Sequence, residues 1–509
     1  MKARRILTLA CVATLTVSGS VRATGTPTIT FVDTIYPGDY SSYALDAGAT
    51  AALGDYVYFS AESPTEGGEL WRSNGTTTEL VKDICPGTSW SNSDELQTIG
   101  NYIYFKASDC THGTEVWRTN GTAAGTTMVA DVNPAGNSNP DEFTLLGTEI
   151  LFSASNNAGP ELYKYNGSTH TLVKDINPGS LGGNPVNLIT FGDHVYFQAN
   201  DGTHGGELWK SDGTGAGTTM VKDINPTGPS YPANFLIAGG QLYFTATNGV
   251  DGKELWRTDG TEAGTVMVGN IDGAVSGWPD YLVEFQGEVY FRANDNNAGE
   301  GPGAELFRTN GPNSIVLAAD INPGTGSSSP TELIVFGDRL IFQADDGSSG
   351  RELWSFDGSS ATQIADILVG GESSSPLDYP WGEVVGDALY FVASADGEQG
   401  DLYRLAADES TPQLVAPSAP TSDPALRLSW TNCSSCGSGY ITAARGRVFF
   451  SMGTYSDGIG GSEFGYLDEP TYVLPPTNGE ASALVRVLVF ASALTAAAAL
   501  TLRRGLQNS

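Results

Sequence analysis

Apolar and polar residues alternate in short runs along most of this chain, and the same runs keep returning. One run of β-branched and aromatic residues recurs nine times, as YVYFSA, YIYFKA, EILFSA, HVYFQA, QLYFTA, EVYFRA, RLIFQA, ALYFVA and RVFFSM. Turn pairs such as Gly-Asp precede it, the punctuation expected before a strand. A second run follows it: ELWRSNGT (69–76), EVWRTNGT (115–122), ELYKYNGS (161–168), ELWKSDGT (207–214), ELWRTDGT (254–261), ELFRTNGP (305–312), ELWSFDGS (352–359) and the degenerate DLYR (401–404). Its aromatic anchors are Trp71, Trp117, Tyr163, Trp209, Trp256, Phe307, Trp354 and Tyr403, about 47 residues apart on average, a propeller-type spacing.

Each unit holds four strand-like runs. In the fourth they are Val186 to Phe191, His194 to Ala199, Glu207 to Ser211 and Thr219 to Ile224. Between the two ends of the chain, no segment keeps a 3.6-residue apolar period long enough for a substantial helix. The step from anchor to fourth-strand Asp is 12 residues at Trp71–Asp83, Tyr163–Asp175 and Trp354–Asp366, and 14 at Trp117–Asp131 and Trp209–Asp223. The short form places Asn-Gly or Asp-Gly between two strands, a strong hairpin signal. The even insertion in the long form keeps each side chain on its sheet face.

These features predict an all-β fold, a β-propeller of about eight to nine four-stranded blades spanning 27–473, with each sheet covering its neighbour's face. Two smaller propellers or an open array are the weaker alternatives. The leading TFVDTIYPG looks like a fourth strand with no unit before it. It could complete the last sheet, built from RVFFSM (447–452) and SEFGYLD (462–468).

The recurrent motif, with its companion KDINPG at Lys174 to Gly179, resembles the family of bacterial ELWxxDGT repeat proteins over roughly residues 30 to 405. That resemblance implies a secreted or surface repeat protein of undefined biochemistry and carries over no catalytic residue. The last two units depart from the pattern.

Composition then narrows the function. The chain has 58 acidic and 25 basic residues, a formal net charge of −33, which repels phosphate backbones and excludes nucleic acid as a natural partner. Its 64 glycines fit many tight turns.

Both ends carry address signals. Lys2, Arg4 and Arg5, the apolar stretch Ile6 to Val17 and the cleavage-like Val21-Arg22-Ala23 make 1–23 a signal peptide. At the other end 481–504 reads as a membrane-anchoring helix before Arg503-Arg504, with 505–509 as a cytoplasmic tail. Leu474, Pro475, Pro476, Thr477 and Asn478 open a Pro-rich stalk (474–480). Motif, apolar helix and basic end together resemble the tails cut by sortase-like transpeptidases, although LPPTN departs from LPxTG. A plain tail anchor is the alternative. An exported protein held at the cell surface, and monomeric, is the expectation.

The meander places the NPG connectors and the loops before ELW on one face, so Cys85 and Cys110 are expected to meet there as a disulfide. Cys433 and Cys436 form a CxxC without further zinc ligands, and a small loop disulfide is expected. Asp83, Asp109, Asp175, Asp201, Asp223 and Asp346 crowd the same face. Asx-turns explain them, and Ca²⁺ held by loop carboxylates is the sharper alternative. No other cofactor or metal is expected, and the recurrent Trp is read as inter-blade packing rather than a sugar platform.

No GxSxG, HExxH, P-loop or helix-opening GxGxxG occurs. The expectation is a non-enzymatic binding, adhesion or structural scaffold contacting a surface glycan or protein, with an extracellular propeller enzyme acting on polysaccharide as the alternative.

Overall fold

Alternation of β-branched and aromatic residues with polar ones, broken by Asn-Gly and Asp-Gly pairs, leaves the backbone little choice but short antiparallel strands. A computed structural model describes residues 29–31, 50–179, 181–273, 275–295, 299–377, 382–395, 400–416, 428–429, 441–444, 447–456 and 459–468. Eight four-stranded antiparallel meanders follow one another in sequence order, and a further sheet gathers strands from both chain ends. The eight are propeller-like blades. Blade 1 comprises Thr50–Leu53, Tyr56–Ser63, Gly67–Ser73 and Thr78–Lys82.

The ninth sheet pairs Ile29–Phe31 with the strand Ile459–Asp468, in the register Thr30 opposite Tyr466. The N-terminal strand therefore does complete the last sheet. That sheet's strand Ile441–Ala444 lies against both blade 1 and blade 8.

Within each blade the second and third strands pair the recurrent Phe with the anchor aromatic, as Phe59 with Trp71, Phe105 with Trp117 and Phe342 with Trp354. The two hairpin lengths leave the register untouched. Trp71 faces Leu80 across the short hairpin and Trp117 faces Met128 across the long one, each three residues before the fourth-strand Asp. The even insertion therefore leaves the pairing of anchor and fourth strand unchanged.

The core lies between blades. Tyr58, Leu70, Val81 and Ile84 of blade 1 pack with Ile103, Phe105, Ala107 and Trp117 of blade 2, and this cluster is repeated around the series. Trp117, Tyr163, Trp209, Trp256, Phe307, Trp354 and Tyr403 are buried there, and Trp71 is half-buried. No blade can shield its own faces from water, so neighbouring blades stabilise one another.

The first strands of consecutive blades lie side by side and are called inner strands below. Those of blades 2 to 6 are Asp94–Ile99, Asp141–Leu146, Val186–Phe191, Ala233–Ala238 and Asp280–Phe285. Among the described residues no helix is long and apolar enough to cross a membrane. The signal segment 1–23, the motif Leu474 to Asn478, the anchor 481–504, the tail 505–509, and Cys433 and Cys436 lie outside the described residues.

Candidate active site at the inner-strand rim

The connector between blades is built by one buried carboxylate per unit. Glu207, at the start of the ELW strand, accepts hydrogen bonds from Ile224 N (2.8 Å), Ser230 N (2.9 Å) and Ser230 Oγ (2.6 Å). Glu69, Glu115, Glu161, Glu254, Glu305 and Glu352 hold the equivalent donors in their own units. All seven are buried. Burial raises every one of these carboxyls above its ordinary range, against the lowering effect of the donors, and Glu69 and Glu254 reach about 7.

This clamp brings each connector onto the next blade's loop. At the first junction Cys85 and Cys110 form a disulfide with Cα atoms 5.3 Å apart, as expected. At the next, Asn133 and Asn157 take the corresponding positions and exchange side-chain hydrogen bonds of 3.2 and 2.7 Å.

The aspartates singled out from the sequence are not gathered. Asp109 accepts from Thr111 N, His112 N and the His112 ring, and Asp201 repeats this with Thr203 and His204. Asp346 closes a turn with Ser348 and Ser349. Asp83 and Asp223 each carry one buried oxygen without a hydrogen-bond partner, next to a glutamate whose oxygens already hold amide donors. Asp175 lies beside Glu161 in the same way. Among the described residues no three His, Cys, Asp or Glu side chains converge as a group that could hold a metal ion.

A different set of acids does converge. The second residue of each of these inner strands has a left-handed backbone: Glu95 (φ 55°), Glu142 (62°), Asn187 (59°), Asn234 (55°) and Tyr281 (54°). The bulge there turns the side chain toward the next blade. Glu142 accepts from Asn187 N (2.8 Å) and Leu188 N (3.0 Å), Asn187 donates to Pro232 O (3.5 Å), and Asn234 donates to Asp280 (3.1 Å). Each of these junctions joins a donor to an acceptor.

Between blades 2 and 3 the same reach brings acid against acid. Glu95 meets the carboxyl of Asp141, and its own carboxyl is raised by burial first and by the Asp141 charge second. Lys106 opposes the rise from 3.6 Å while holding Asp94 at 3.2 Å. The pair opens onto a cavity of about 470 Å³ walled by Glu95, Asp141, Glu142, Leu96, Phe143 and Leu188. A carboxyl with a raised pKa next to a second carboxylate is the minimum equipment for moving a proton to a leaving group and another from water.

This set is not legible in the sequence by itself, because paired acids are uninformative in so acidic a chain. The repeat alignment carries a signal all the same. Glu95 and Glu142 replace the Asn seen at Asn187 and Asn234, immediately after an Asp in both cases.

No family model matches the chain, and no curated protein matches it. Solved structures do. Puromycin hydrolase is similar at 12% identity over 86% of this chain and 61% of its own, with a TM-score of 0.39. A puromycin-hydrolyzing peptidase of Mycobacterium tuberculosis is similar at 11% identity over 86% and 63%, with a TM-score of 0.39. A structure from a study of two prolyl endopeptidases is similar at 11% identity over 82% and 56%, with a TM-score of 0.42. The chain thus spans about three-fifths of the length of these neighbours. These neighbours are enzymes, a finding that runs against the expectation of a non-enzymatic scaffold. The likeness is one of fold, and no substrate is carried over from it.

Proposed function

We propose that the chain is a hydrolytic propeller whose acid–base pair, Glu95 and Asp141, works at the inner-strand rim between blades 2 and 3. The observation that carries this reading is the cavity lined by Glu95, Asp141 and Glu142 at a blade boundary, where the carboxyls of Glu95 and Asp141 meet. Like charges set together cost stability, whereas the next three junctions of the same design pair donor with acceptor. Glu95 holds the proton and gives it to the departing oxygen or nitrogen. Asp141 takes a proton from the attacking water, whose hydroxyl bonds to the other fragment. Lys106 positions Glu95 and limits the rise of its pKa.

The address signals support an exported, surface-held protein, and the repeat motif supports membership of the ELWxxDGT group. Both are part of this proposal. The test is a panel of chromogenic glycosides, esters and peptides incubated with the full chain and with Glu95→Gln and Asp141→Asn. Turnover reduced at least 100-fold by either substitution, with unchanged melting temperature, supports the assignment. Turnover that survives both, or none with any substrate class, overturns it.

A further inference from the structure

The residue after each clamp position also has a left-handed backbone, at Asn92, Asn139, Asn184, Tyr231, Trp278, Ser329 and Ser375. Five of the seven are Asn or Ser, small polar residues that suit this conformation. Two consecutive blades place large aromatics there instead, Tyr231 at φ 49° and Trp278 at φ 47°. Bulky residues adopt positive φ only under constraint from their surroundings.

Folding gives no reason for the exchange. Tyr231 is 56% exposed and Trp278 59% exposed, and among the described residues neither side chain makes a hydrogen bond or ring contact. Trp90, another exposed aromatic of these connectors, differs: its ring lies over Gly68, where an added Cβ would stand 2.6 Å from it. The anchor tryptophans are used up in the core.

The two free rings belong to consecutive connectors, and the inner strands that follow them are joined by a 3.1 Å hydrogen bond from Asn234 to Asp280. Tyr281, the next left-handed residue, extends the aromatic character along the same inner strand that Trp278 introduces. Exposed rings set among Ser, Asn, Pro and Gly offer flat apolar faces in a polar, hydrogen-bonding surround. Sugar rings, apolar on one face and hydroxylated at the edge, match that chemistry. The net charge of −33 disfavours polyanions.

We infer that Tyr231 and Trp278 form a stacking platform for an uncharged polysaccharide. As a substrate class this rests on the hydrolytic reading of the same rim, although binding itself needs no turnover.

The experiment is affinity electrophoresis of the full chain through gels containing hydroxyethyl cellulose, laminarin or alginate, with Tyr231→Asn/Trp278→Asn and Leu181→Asn as variants. Asn is what Asn139 and Asn184 already supply at this position, so the double variant is expected to melt at or above the native temperature. Retardation by at least one neutral polymer, absent in alginate, lost at least tenfold in the double variant and kept in Leu181→Asn supports the platform. Equal retardation of native and double variant, equal loss in Leu181→Asn, retardation by alginate alone, or no retardation in any gel overturns it. Because mobility reports binding alone, a failed hydrolase assay leaves this result standing, and a failed gel leaves the hydrolase result standing.

Discussion

Asn133 and Asn157 exchange two hydrogen bonds at the place where, one junction earlier, Cys85 and Cys110 are covalently joined. The repeat has therefore tried two chemistries at one contact between a connector and the next blade's loop. Cys110 and Asn157 both have a left-handed backbone, at φ 64° and 77°, where later blades use Gly202, Gly249 and Gly347. The side chain that reaches back to the connector is bought with that less favourable conformation.

Two substitutions test the equivalence. Cys85→Ser/Cys110→Ser is expected to lower stability by about 2–4 kcal/mol, and Cys85→Asn/Cys110→Asn by less, since the amide pair is already accommodated next door. Conversely, Asn133→Cys/Asn157→Cys should oxidise to a second bridge, seen by peptide mapping without reductant. Failure to oxidise would show that the two junctions differ in geometry.

The glutamate clamp predicts a large local effect. Glu207→Ala leaves Ile224 N, Ser230 N and Ser230 Oγ without their acceptor, so a loss of about 3–5 kcal/mol is expected in urea titration. Amide exchange should rise first at the connector, residues 224–230. An exposed glutamate on the same protein, Glu79, should cost under ~1 kcal/mol.

Those carboxyls also set a pH dependence. A carboxyl raised by burial means that the native state keeps protons that the unfolded chain releases. Stability from Glu69 and Glu254 is therefore full below the ordinary carboxylate range and declines as pH rises through about 7. The urea midpoint should be higher at pH 5 than at pH 8, and Glu69→Gln/Glu254→Gln should narrow the difference. A midpoint that climbs steadily from pH 5 to pH 8 would contradict this.

Catalysis has its own pH signature. If Glu95 acts as the proton donor, activity falls as pH rises through its raised pKa. Lys106 lowers that value, so Lys106→Met is expected to move the alkaline limb to higher pH. A structural role alone would change the amplitude and leave the limb in place.

Most of the architecture is legible in the sequence because it is periodic. The strand runs, the blade spacing and the meeting of Cys85 with Cys110 all follow from a meander repeated with constant register. The clamp is harder to see, since the Glu of ELW occupies what alternation marks as a polar, outward position. In fact Glu, Leu and Trp of Gly206–Ser211 are all buried, because both faces of the strand are covered. Its recurrence in seven units, beside a Lys, Arg or Ser that varies just after the anchor aromatic, was the available clue.

The rim is less legible still. Glu95 and Asp141 come together through a left-handed bulge at residues carrying no glycine to announce it, and the two are in different blades. Tyr231 and Trp278 look, in sequence, like ordinary variation in a loop.

Pairing of Ile29–Phe31 with Ile459–Asp468 has a consequence for biogenesis. The final sheet is a joint venture of two strands far apart in sequence, so no nascent or truncated copy that stops short of Ile459 can finish it. Until translation passes Asp468, the strand Ile29–Phe31 has nowhere to dock, and a product cut short before it exposes an unsatisfied backbone edge that invites pairing with another chain. Quality control by proteolysis would thus discriminate full-length molecules from fragments at one place.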